Sequence, residues 1–438
     1  MFNLKNESKK TKIFLAICCT ILFSLIMISI FYYGNSTLLG NFYAPNNDDV
    51  KFIRSAWILA NTGNYTYHKP PAPTVFMMPG LPYTLAFLMK IFGEFGGIVA
   101  FRIVQAVIQV LSLLLIFFIA RKLFNSKTAI IAVIIDITCI AEVWIPNLVL
   151  TETFFKFFVL LLVYFSIYAI EKNQIKYYIL GGLALGFAAL FRPTIVTYPI
   201  IILIMWIIKK IDFKSAVKYT LSVILVFSII MSPWWIRNYS IFHKFIPLTM
   251  ATGNPMYQGT YINYNQSTKA TDGLDYTNYN TKDPKLSELE RNEMEIAASK
   301  YRLKNLFPKE PFKFIYWYTI GKGWIQINSP FYWKEIFGIS FSASKIYHKI
   351  ILLLGLLGMI IFFKNKNKNI LAIVPFVTII YFILVYLPFY TMGRYFYPAM
   401  PYLIMFSAES LGTVINYLNR VKLGTVINHR NSVTVIKN

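Results

Sequence analysis

The chain has 438 residues, 56% of them hydrophobic and 17% aromatic, with a mean hydropathy of +0.53, a composition far from that of a soluble domain. Its formal charge of +24 is not gathered on one polar face, as nucleic-acid binding would require, but broken into short clusters between apolar runs. There is no Walker A sequence, GxSxG elbow or HExxH motif and the four histidines are scattered, so ATP-driven transport and zinc hydrolysis lose their sequence basis.

Apolar windows of about 20 residues, enough to cross a bilayer, begin at Ile13 and recur to the C-terminal region. Basic residues flank them on one side only: Lys9, Lys10 and Lys12; Arg121, Lys122 and Lys127; Lys172 and Lys176; Lys209, Lys210, Lys214 and Lys218; Lys364, Lys366 and Lys368; Arg420 and Lys422. All these clusters are cytoplasmic, as the positive-inside rule asks, if the spans run at 13–33, 98–120, 128–144, 151–170, 177–191, 194–208, 216–235, 347–363, 370–389 and 395–416. The expected fold is therefore an all-α polytopic membrane protein of about ten transmembrane helices with both termini in the cytoplasm.

The first run is too long for a signal-peptide core and lacks a small-x-small cleavage site, and is read as an anchor. The following external loop, 34–97, carries Asp48 and Asp49, a proline-rich stretch and an apolar run, 80–92. That run is about 20 Å long as a helix, contains Pro82 and Lys90, and would invert the charge pattern if it crossed. An interfacial helix is expected instead. The stretch 177–208 is basic at both ends, so it must turn back, and its tip is Phe191-Arg192-Pro193.

Three regions follow: 1–236, an N-terminal transmembrane module that includes the loop 34–97; 237–346, a second external loop with interfacial and amphipathic helices; and 347–438, the C-terminal helices and cytoplasmic tail. The second loop holds a charged helical stretch at about 286–306 and an aromatic belt around Trp317, Trp324 and Trp333 suited to headgroup depth. The three cysteines, Cys18, Cys19 and Cys139, fall inside expected spans and form neither a disulfide framework nor a CxxC metal motif.

Several charges stand where they need a reason. If the chain after Asn47 is helical, Asp48, Lys51 and Phe52 share a face; a carboxylate beside cations suits a base that stays ionised near an anionic substrate, while Asn47 or Asp48 as an ordinary N-cap is the plainer reading. Arg192, Arg237 and Arg394 each sit at an external span end, against the charge trend. Each is a snorkelling anchor, or together they hold a phosphate at headgroup depth. Asp136 and Lys156 lie within adjacent spans and are expected to form a structural ion pair, with Glu142 near the external end; a proton or ion pathway is the rival reading. Glu152 opens the fourth span, where Thr151 as N-cap and Glu152 as a first-turn carboxylate is the plain alternative to a site role.

The series Asp48-Asp49-Val-Lys-Phe52, Ala56, Gly63, Met78-Pro79-Gly80-Leu-Pro82 and Ile91-Phe92-Gly93 resembles the first external loop of GT-C glycosyltransferases. The nearest resemblance is to the protein O-mannosyltransferase-like group and the aminoarabinose transferases acting on lipid A. It continues through Phe101-Arg102, Gln105, Arg121-Lys-Leu-Phe124, Thr151-Glu152, Phe191-Arg192-Pro193-Thr194, Ser232-Pro-Trp-Trp-Ile-Arg237-Asn238, Gly253-Asn254 and Arg394-Tyr395 to Pro401.

The resemblance implies transfer of a sugar from a polyprenyl-phosphate donor, outside the cell membrane, to a protein, lipid or cell-wall glycan acceptor. It maps the family's first-loop aspartate onto Asp48 and its second carboxylate onto Glu152, and the phosphate-holding cations onto Arg192, Arg237 and Arg394, helped by Lys51 or Lys69. Phe52 replaces the usual Tyr, and Asp49 the frequent Glu, which leaves open which carboxylate is the base. No cofactor is implied beyond a divalent cation between Asp48, Asp49 and Glu152, an option some relatives use. Attack of a hydroxyl on an anomeric carbon needs a base at the acceptor and cations at the departing phosphate, which these residue types supply. The alternative from another class is a transporter or lipid flippase using Asp136 and Lys156.

Overall fold

The computed structural model describes residues 2–365 and 368–435, with side chains in the last helix as far as Leu418. Lys366 lies outside the described residues, as do the side chains of Arg420 and Lys422. Apart from three isolated bridges, the described residues form helices and connecting loops.

Each expected span coincides with a helix or a helix pair. Among the described residues, five stretches are long and apolar enough to cross a membrane. They contain α1 (Lys9–Tyr33), α3 (Gly80–Leu123), α6 (Glu152–Lys172), α9 (Phe213–Phe242) and α14 (Phe341–Lys364), and α2 (Asp48–Thr62) lies between the first two. A sixth is completed if α4 (Ser126–Ile137) and α5 (Ile140–Trp144, continued by a short turn to Asn147), bent by 64°, count as one span. Shorter apolar helices are α7 (Ile175–Phe191), α8 (Pro199–Lys209, led by the turn Pro193–Thr197) and α15 (Ile373–Leu384, led by Ile370–Ala372). The second long connection contains α10 (Gly253–Gly259), α11 (Glu288–Leu306), α12 (Pro311–Tyr316) and α13 (Lys322–Ile327), and α16 (Met400–Val435) ends the described chain.

Local signals account for the boundaries. Asn47 caps α2, its side chain accepting from the Asp48 amide, and Gly63 closes the helix in the left-handed region at φ 73°. The charged stretch expected at 286–306 is α11, opened by a capping box between Ser287 and Glu290. The run expected to be interfacial and the second expected span are both in α3, separated at Gly93, whose φ of 74° and ψ of 177° only glycine adopts freely. The kink brings the two limbs so close that a Cβ on Gly97 would sit 2.6 Å from the Met89 Cα. Along 80–92, Tyr83, Phe87 and Ile91 point outward at helical spacing, 44%, 65% and 56% exposed, leaving an apolar face uncovered by the protein. Gly93→Ala is expected to destabilise the fold by about 1–3 kcal/mol, seen as a lower thermal midpoint in lipid.

The third expected span is where the structure departs most. It breaks after Ile137 and bends, so that α5 and the segment 145–151 turn inward beside α3, α6 and α1. Lateral packing pairs α14 with α16, α6 with α7, α7 with α9, and α3 with both α2 and α4. Aromatic contacts fill these seams, among them the stack of Phe154 on Phe191 at 4.7 Å. Trp317, expected in the exposed aromatic belt, is instead 1% exposed and donates to the Gly259 carbonyl, while Trp324 and Trp333 are 55% and 43% exposed.

Candidate active site

Four charged side chains from four separate elements meet at the end of the bundle that carries the two long connections. Asp48 opens α2, and because Asn47 serves as the cap, the Asp48 carboxylate is free to reach across. Arg394 lies in the turn Gly393–Ala399 that leads into α16, and its Nη2 donates to Asp48 Oδ2 at 3.0 Å. Its Nε is 3.6 Å from Oε1 of Glu152, the first residue of α6. Arg192, in the turn between α7 and α8, pairs with that same Glu152 oxygen through Nη2, and its Nε donates to Thr151 Oγ1 at 2.8 Å. The order is thus Asp48, Arg394, Glu152, Arg192.

The row is graded in accessibility. The Asp48 side chain is 31% exposed, Arg394 and Arg192 are 12% and 11%, and Glu152 is 1%. Asp48 is therefore the most accessible member of the row. Burial alone would push its carboxyl up, but the Arg394 guanidinium, the Tyr67 hydroxyl and Lys51 outweigh that and hold it below its ordinary value. Arg394 is kept charged against its own burial by Tyr395, Glu152 and Asp48. Tyr395 and Tyr386 stack at 4.6 Å beside the arginines, with the Arg192 guanidinium 5.4 Å from the Tyr395 ring. Glu152 Oε2 and Arg394 Nε have no hydrogen-bond partner although both atoms are buried, so the ionic row retains unused capacity for hydrogen bonding.

The other candidates are engaged elsewhere. Asp49 is fully buried and accepts from the amides of Leu39, Gly40 and Val50, so it organises the loop after α1. Burial raises its carboxyl, against the pull of those amides. Arg237 donates to the Thr74 carbonyl at 2.7 Å and lies 5.2 Å from the Trp234 ring, clamping the first long loop rather than facing the row. Lys69 donates to the Pro284 carbonyl at 3.0 Å. Lys51 lies 5.9 Å from the Tyr67 ring, on the Asp48 side. Thr151 makes no side-chain cap bond and holds Arg192 instead, so the plain cap reading of Thr151 does not hold.

The pair expected between Asp136 and Lys156 is not the one formed. Lys156 pairs with Glu142, which also accepts from Gln109 and, at 2.9 Å, from the Tyr397 hydroxyl. The bend after Ile137 is the reason: it turns α5 inward and delivers Glu142 to Lys156. Both Asp136 oxygens are buried without a hydrogen-bond partner. A divalent cation does not fit the carboxylates either. Asp49 is turned to backbone amides, Asp48 and Glu152 are each neutralised by arginine, and among the described residues no three His, Cys, Asp or Glu side chains are grouped to hold a metal.

The model of the dolichyl-phosphate-mannose-protein mannosyltransferase family matches residues 69–236. The archaeal oligosaccharyltransferase AglB from Archaeoglobus fulgidus, solved with an inhibitory peptide and a dolichol-phosphate, superposes with a TM-score of 0.53 at 13% identity, over 93% of this chain and 51% of that one. The apo form of the Archaeoglobus fulgidus oligosaccharyltransferase gives 0.56 at 15% identity, over 97% and 53%. The chain shares the fold of the matched half of these oligosaccharyltransferases. ArnT from Cupriavidus metallidurans, bound to undecaprenyl phosphate, overlaps this chain with a TM-score of 0.42 at 11% identity, over 92% and 77%. The chain spans about half the length of the oligosaccharyltransferases it matches, and no curated protein matches its sequence. Glu152 and Arg192 fall inside the family match, whereas Asp48 and Arg394 lie on either side of it.

Tyr67 is the site residue that sequence reasoning missed. Its hydroxyl donates to Asp48 Oδ1 at 3.0 Å, a contact across a loop that no spacing rule connects.

Proposed function

We propose that this protein is a glycosyltransferase that moves a sugar from a polyprenyl-phosphate carrier to an acceptor hydroxyl, with Asp48 as the base and Arg394 and Arg192 as the phosphate-holding cations. The observation that carries the reading is the ionic row in which Arg394 bridges Asp48 and Glu152. It sets a partly exposed carboxylate, held ionised, beside guanidiniums suited to a phosphate. The dolichol-phosphate held by the archaeal oligosaccharyltransferase supports the donor class.

In the reaction the acceptor oxygen forms a bond to the anomeric carbon while its proton passes to Asp48. The bond from that carbon to the phosphate oxygen breaks, and its electron pair leaves with the polyprenyl phosphate. Positive charge builds on the sugar and negative charge on the phosphate. Arg394 and Arg192 neutralise the latter, and Glu152 fixes both in place. The driving energy is in the donor, so no nucleotide is consumed. The site faces the extracytoplasmic side, a reading supported by the basic clusters between spans, which belong to the opposite end. The transporter alternative loses its coupling pair, since Lys156 is bound to Glu142.

The test uses the protein in lipid with radiolabelled polyprenyl-phosphate sugars and membrane extract as acceptor. The parent is expected to consume donor and Asp48→Asn to lose about 10³-fold or more of the rate, with both equally folded. Equal consumption by the two would move the base to Glu152. No consumption with any donor would remove the transferase reading.

A further inference from the structure

Asp48 is held by two groups, and the second comes from the far side of the first long loop. Tyr67 is 1% exposed and donates its hydroxyl to Asp48 Oδ1 at 3.0 Å, while Arg394 donates to Oδ2 at 3.0 Å. Each carboxylate oxygen has two acceptor sites, so this arrangement fixes the plane of the carboxylate and leaves one site on each oxygen.

The tyrosine is itself fixed by α2. Phe52 packs against its ring at 5.4 Å, and Phe76 stacks on it at 5.7 Å with an interplanar angle of 18°. Its main chain is tied to the same helix, for Arg54 Nη2 donates to the Tyr67 carbonyl at 2.7 Å and Ser55 Oγ donates to the carbonyl of Thr66. Phe52, Arg54 and Ser55 of one helix thus address the same two loop residues, and the hydroxyl they deliver meets the carboxylate at the start of that helix.

The geometry points to Tyr67 as the positioning residue of Asp48: it orients the carboxylate for the acceptor hydroxyl and favours its charged form, a role that rests on the reading of Asp48 as the base. A hydroxyl donating to a carboxylate favours ionisation. The other groups acting on Asp48 are Arg394 from the turn before α16, Lys51 and the neighbouring carboxylate of Asp49 from α2, and His68 from the loop. Glu152 of α6 reaches it only through Arg394. His68 is pushed down to about 4 by its burial, then by Lys51, against the pull of Asp48, so it is neutral across the range in which enzymes work.

Tyr67→Phe keeps the ring and removes only the hydroxyl. In lipid nanodiscs, the carboxyl infrared band lost in Asp48→Asn reports Asp48 protonation without any substrate. Its midpoint is expected to rise by about one pH unit in Tyr67→Phe. Donor turnover should fall about 10-fold, its acid limb moving up by the same amount, with the donor KM unchanged. Tyr67→Leu, which also removes the ring, should add a loss of thermal stability that Tyr67→Phe does not show. A Tyr67→Phe midpoint equal to the parent's, or a shifted midpoint with unchanged turnover and acid limb, overturns the assignment. Failure of the transferase reading looks different: the parent consumes no donor, while the infrared midpoints still decide whether Tyr67 holds Asp48 in its charged form.

Discussion

Arg394→Gln is expected to lower sugar transfer by about 10³-fold, a loss of the size that follows removal of a group aimed at developing charge. The side chain touches both carboxylates of the row, 3.0 Å from Asp48 and 3.6 Å from Glu152, so its removal acts in two ways. On the proposed mechanism the departing phosphate loses one of its two cations, which should raise the donor KM and lower kcat. Asp48 loses the strongest influence opposing its burial, and its carboxyl rises. The base is then protonated over more of the pH range, and the remaining activity moves toward alkaline pH.

Arg192→Gln supplies the contrast. Arg192 pairs with Glu152 and Thr151 and makes no contact with Asp48. Its loss should weaken donor binding and turnover without moving the acid limb. Initial rates against pH for the two variants separate the roles. An Arg394→Gln enzyme that keeps more than about a tenth of the parent rate at its best pH would remove Arg394 from the reaction.

The positions of the long apolar helices were legible because hydropathy acts on whole helices, and local errors do not accumulate. The separation of 80–92 from the helix that follows was legible because the run is short, carries Lys90 and is followed by Gly93, which takes the kink. The break in the third span was not. It falls at Thr138-Cys139, with neither proline nor glycine to mark it, and it is what gave Lys156 a different partner. Asp48 and Asp49 stood together in the sequence, and only their directions separate them. Adjacent helical positions point about 100° apart, so one faces Arg394 while the other turns in to the amides of Leu39 and Gly40. Arg237 was grouped with the site because it ends a span, but its carbonyl partners at Tyr65 and Thr74 lie in a loop far away in the sequence. Which charges stand at helix ends was readable; which neighbour folds onto each charge was not.

The buried cluster below the site sets the second large effect. Lys156 lies one helical turn beyond Glu152 on α6, and Tyr397 lies three residues after Arg394, so the cluster of Lys156, Glu142, Gln109 and Tyr397 underlies the ionic row through both of its central residues. Lys156 and Glu142 are at most 2% exposed. Lys156→Met leaves Glu142 as a buried charge held only by the neutral donors Gln109 and Tyr397, and is expected to destabilise the protein by about 3–5 kcal/mol. The double variant Lys156→Met, Glu142→Leu removes both charges and should recover most of that loss, because the cost lies in the orphaned partner rather than in the absent pair. Thermal unfolding in lipid of the two single variants and the double closes the cycle. If the double variant is stable yet inactive, the pair acts by holding Glu152 and Arg394 in register. If it is stable and active, the pair serves folding alone. A Lys156→Met protein as stable as the parent would contradict the pairing itself.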